Sequence, residues 1–122
     1  MFRQISVDEL HRKFGNPCLV PHAILRLQPS SLSEHLGIKF SKYDDDLDKY
    51  EGAYIETEFA GQKNAVALKH YKGEPINTVT IYFSYMVRDG LDKITEFVHH
   101  LVREFKLDDS ALFWERKDNP DL

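Results

Sequence analysis

At 122 residues, with 42% hydrophobic and 30% charged side chains, the chain is sized and composed for one α+β domain spanning 1–122, which excludes a disordered polymer. No stretch approaches the roughly 18 apolar residues of a membrane helix, and the single cysteine, Cys18, excludes an internal disulfide or a cysteine-rich zinc site. The net charge is −4, and the opening Met1-Phe2-Arg3-Gln4-Ile5-Ser6-Val7-Asp8 lacks a basic-then-apolar leader pattern, so a cytoplasmic protein is expected.

Ser6 and Glu9 have capping-box spacing, and Ile5 and Leu10 occupy the staple positions around them. Val7, Leu10 and Phe14 then share one face of a helix that Gly15 and Pro17 stop. A short strand is expected at about His22 to Leu27. Ser31 and Glu34 repeat the capping spacing before a short helix ending at Gly37. The stretch from Tyr43 to Glu51 fits either a loop or one or two helical turns. An antiparallel meander follows at Tyr54 to Phe59, Ala65 to Tyr71 and Asn77 to Met86, rich in β-branched and aromatic residues. Gly61-Gln62-Lys63-Asn64 and Lys72-Gly73-Glu74-Pro75 supply its turns, and the third strand reads as longest and central. Asp89 is placed to cap a helix from Leu91 to Phe105 with a buried stripe of Leu91, Ile94, Val98, Leu101, Val102 and Phe105. Ala111 to Glu115 reads as a last strand before a polar tail, Lys117 to Leu122. The expected fold is α+β, a mainly antiparallel sheet of four to five strands with helices packed on one face.

Period-2 alternation divides the meander into two faces. Ile55, Phe59, Val66, Leu68, Val79, Ile81 and Phe83 form the face for the helices to cover. Tyr54, Glu56, Glu58, Lys69, Tyr71, Thr80, Tyr82 and Ser84 form the face expected to meet water. The second face continues a local acidic excess. Between Tyr43 and Glu58 stand seven acids (Asp44, Asp45, Asp46, Asp48, Glu51, Glu56, Glu58) against one base, Lys49, a local net of −6. Tyrosine rings, here Tyr43, Tyr50, Tyr54, Tyr71 and Tyr82, bury much area with few rotors, and carboxylates beside them steer a basic partner. These twelve residues are the candidate partner-binding set; a plain solvated sheet face gives the same pattern.

Other constellations carry less. Asp44, Asp45, Asp46 and Asp48 lack the interleaved spacing and glycine of a calcium loop. His99 and His100 fall off the apolar stripe of their helix, and Glu96, His100 and Glu104 read as surface ion pairing, so no metal is expected. Cys18 and His22 lack a third orienting group, and Cys18 reads as a small packed hydrophobe. No glycine-rich phosphate loop is present, so no nucleotide or other cofactor is expected. The charge beside the aromatics has the wrong sign for nucleic acid.

The expected function is a non-enzymatic acidic binding protein that neutralises or escorts a basic protein partner. Its most specific form is an immunity-type inhibitor of a nuclease toxin, whose basic cleft an acidic, tyrosine-rich surface would plug; this step is an argument from charge. Two alternatives stand beside it. One is a small enzyme using histidine or carboxylate chemistry in a pocket the sequence does not reveal. The other is a homo-oligomeric module, a homodimer for example, pairing through its tyrosine-rich sheet face.

Overall fold

A computed structural model describes residues 1–44, 48–84 and 90–116, with only the backbone described at 90–92. Chain order is β1 (Phe2–Ile5), α1 (Val7–Phe14), β2 (Leu19–Leu25), α2 (Pro29–Leu36), β3 (Ser41–Asp44), β4 (Lys49–Phe59), β5 (Gln62–Tyr71), β6 (Val79–Ser84), α3 (Gly90–Glu104) and β7 (Leu112–Glu115). The strands form one seven-stranded sheet in the order β1-β4-β5-β6-β2-β7, with β3 also on β4. Every ladder among the described residues is antiparallel.

The sheet is therefore larger than four to five strands. The additions are β1 and β3, which pair end to end along one edge of β4: Phe2–Ile5 lies opposite Thr57–Tyr54, and Ser41–Asp44 opposite Gly52–Lys49. Each is four residues long, with two polar side chains in β1 and three in β3, too short for alternation to stand out. Their existence follows from β4, whose eleven residues offer both of them an edge. The stretch left open between loop and helix is thus a β-hairpin, with Asp45 and Asp46 outside the described residues. β4 is the longest described strand; β6 covers Val79–Ser84, and Met86 and Asp89 lie outside the described residues, as does the 117–122 tail.

The second correction concerns the helices, which pack on both faces. α2 and α3 cover the face carrying Ile55, Val66, Leu68, Val79, Ile81 and Phe83, and close the main core with Leu32, Ile94, Phe97, Val98, Leu101, Val102 and Phe105. Phe97 joins the expected stripe, stacked on Phe59 (ring centroids 4.9 Å) and edge-on to Phe83 (4.6 Å). Only the backbone of Leu91 is described. α1 lies on the opposite face, where Leu10 packs with Ile5, Tyr54, Ala65 and Ala67. Its amphipathic stripe needs an apolar bed, and two alanines alternating along β5 leave room for one. Ser6 caps α1 as its spacing implies, its Oγ accepting from the Glu9 amide at 3.0 Å. The Ser31–Glu34 reading of α2 does not hold: the helix starts earlier, with Gln28 at the N-cap and Pro29 at its first position, where proline's fixed φ is favourable. Among the described residues no helix is long and apolar enough to cross a membrane.

The β4–β5 turn is tighter than the sequence implied. Phe59 pairs with Gln62, so Ala60 and Gly61 alone make the turn, both left-handed at φ 54° and 78°. Two-residue hairpins need this conformation, and Asn tolerates its first position better than Ala. Ala60→Asn is expected to raise unfolding stability by about 1 kcal/mol in urea melts, without change in the far-UV spectrum.

Candidate functional site: a tyrosine cluster around Lys69

The β3–β4 hairpin sets Tyr43 across from Tyr50, and the β4–β5 ladder sets Tyr50 across from Tyr71. Their rings stack in series, with centroids 5.1 Å apart for Tyr43–Tyr50 and 4.9 Å for Tyr50–Tyr71. Tyr54, two positions further along the same face, shares a hydroxyl hydrogen bond of 2.8 Å with Tyr50. Lys69 occupies the middle. Its Nζ lies 4.6 Å from the Tyr50 ring centroid, 5.1 Å from Tyr82, 5.8 Å from Tyr71 and 5.9 Å from Tyr54. Electron-rich ring faces attract an ammonium, most strongly where water is reduced. The chain's own cation thus occupies this aromatic cage and gathers the rings around it.

Gly52 makes the arrangement possible. It pairs with Lys69 between Tyr50 and Tyr54, and a Cβ there would stand 2.7 Å from the Leu68 carbonyl oxygen and 3.3 Å from the Tyr50 ring. Because the carbonyl is backbone, relief requires β5 to move. Gly52→Ala is expected to destabilise by about 1–3 kcal/mol, as overpacking does, and to weaken the near-UV tyrosine dichroism.

The cluster has a floor and a surface. Tyr50 and Tyr54 are buried, while Tyr43, Tyr71, Tyr82 and Lys69 are half-buried. Tyr54 was expected to face water; α1 covers it. The acids also sort differently from their run in sequence. Glu56 is 5% exposed and is held by Arg3 (Nη2 at 2.8 Å, Nε at 3.1 Å) and Lys13 (Nζ 3.3 Å from each oxygen). Arg3 and Lys13 also bind Glu9. Burial raises the Glu56 carboxyl, but the hydrogen bonds from Arg3 and Lys13 outweigh it and hold the group below its ordinary value. Other acids face bases across the ladders: Glu51 opposite Lys42, Asp44 opposite Lys49, and Glu58 opposite Lys63. Glu58 is exposed but stands eight residues along β4 from Tyr50, about 26 Å away at strand spacing. At the hairpin end Asp44 and Asp48 are exposed and Glu51 is half-buried. A concavity of about 590 Å³ opens there between Tyr43, Tyr50, Glu51 and His70, with Lys42, Lys49 and Lys72 around it.

The remaining candidates stay apart. Cys18 is exposed rather than packed, and His22 is fully buried. The His22 ring stacks on Phe83 at 3.8 Å, and neither of its nitrogens has a hydrogen-bond partner among the described residues, so no cysteine–histidine pair forms. His99 and His100 are half-buried. His99 Nε2 lies 3.0 Å from Glu115, and His100 Nε2 lies 3.1 Å from Glu104, as the helical spacing implied. Among the described residues no three His, Cys, Asp or Glu side chains converge as a metal needs.

The chain matches no known family model, no curated protein and no solved structure.

Burial, then the charge of Arg116, lowers the His22 pKa from 6.5 to about 4. A depressed histidine stabilises the fold fully above pH 6.5, and that contribution is lost as pH falls from 6.5 towards 4. The shift corresponds to about 3 kcal/mol. Glu56 and Glu9 act in a separate window: their carboxyls lie below the ordinary 4.5, so their contribution is present above that pH and lost beneath it. Urea melts between pH 7 and 4.5 should show falling stability in the native chain and a flatter profile in His22→Leu.

Proposed function

We propose that the chain is a non-enzymatic binding module that takes a basic protein partner on the tyrosine cluster and the acidic hairpin end beside it. The observation that carries this reading is the layering of the cluster. Tyr43, Tyr71 and Tyr82 reach the surface over a floor of Tyr50 and Tyr54 that Lys69 and Gly52 hold together. Rings already ordered in the free protein lose little entropy on docking, the condition under which tyrosines become hot spots. At the hairpin end Asp44, Asp48 and Glu51 alternate with Lys42, Lys49 and Lys72, and the negative excess that would steer a basic partner comes from Asp45 and Asp46. Glu56 and Glu58 are left out of the surface, the first because it is buried and the second because of its distance. Asp45 and Asp46 belong to it by sequence alone. The finer version remains an immunity-type inhibitor of a nuclease toxin acting in the cytoplasm, where the exposed thiol of Cys18 stays reduced.

A second reading, a small enzyme, draws on His70. Its Nδ1 donates to the Thr78 carbonyl at 2.8 Å, which leaves Nε2 as the acceptor beside Glu51 in the concavity.

Capture from cytoplasmic extract at low and high salt, followed by binding kinetics with the retained protein, separates the two. Tyr71→Ala or Tyr82→Ala should raise the dissociation rate about 30-fold, the equivalent of about 2 kcal/mol. Asp44→Asn with Asp48→Asn should mainly lower the association rate and flatten its salt dependence. His70→Ala should leave both rates unchanged. If the tyrosine and aspartate variants bind like the native chain, the site lies elsewhere.

A further inference from the structure

We draw no further inference here: the strongest candidate, the exposed apolar patch of Phe113 and Trp114 on β7 with the hollow of about 480 Å³ that Ile24 and Tyr82 line beside it, carries nothing because nothing in the structure shows what covers it.

Discussion

The carboxylate of Glu56 sits in the middle of β4, almost without solvent, and keeps its charge because Arg3 and Lys13 reach it from β1 and α1. A buried ion pair need not add much stability compared with an apolar pair, but it is demanding about what stands beside it. With Glu56 ionised, β1 must lie where Arg3 falls opposite it, and α1 must cross the sheet where Lys13 can close over it. Glu9 holds the same two bases from within α1. Once α1 is seated, Leu10 closes over Tyr54, Ala65 and Ala67, and this part of the sheet's second face leaves solvent. The two-sided architecture, the burial of Tyr54 and the support under the tyrosine cluster all follow from this contact.

The acidic run takes on a different meaning when the ladders are considered. In sequence it is a local net of −6; in the sheet, Glu51, Asp44, Glu56 and Glu58 stand opposite Lys42, Lys49, Arg3 and Lys63. Opposite charges across strands favour one register over its neighbours, since a one-residue slip would break every match and turn every side chain to the wrong face. Much of the charge that looked available to a partner thus helps align β1, β3, β4 and β5.

What was legible in the sequence was local and periodic. The Ser6 cap, the α3 stripe from Ile94 to Phe105 and the apolar sheet face could be read because each repeats at the period of its element. What was not legible depends on pairing between distant segments. Phe2–Ile5 and Ser41–Asp44 become strands only because β4 extends past its apolar stretch to receive them. The side of the sheet that α1 covers is decided by Arg3 and Lys13 meeting a glutamate more than forty residues away. Of the candidate site, the tyrosines were visible but their layering was not. The available hint was Lys69, the lone base among tyrosines on its face, together with Gly52, a glycine inside a strand, which commonly marks a close approach.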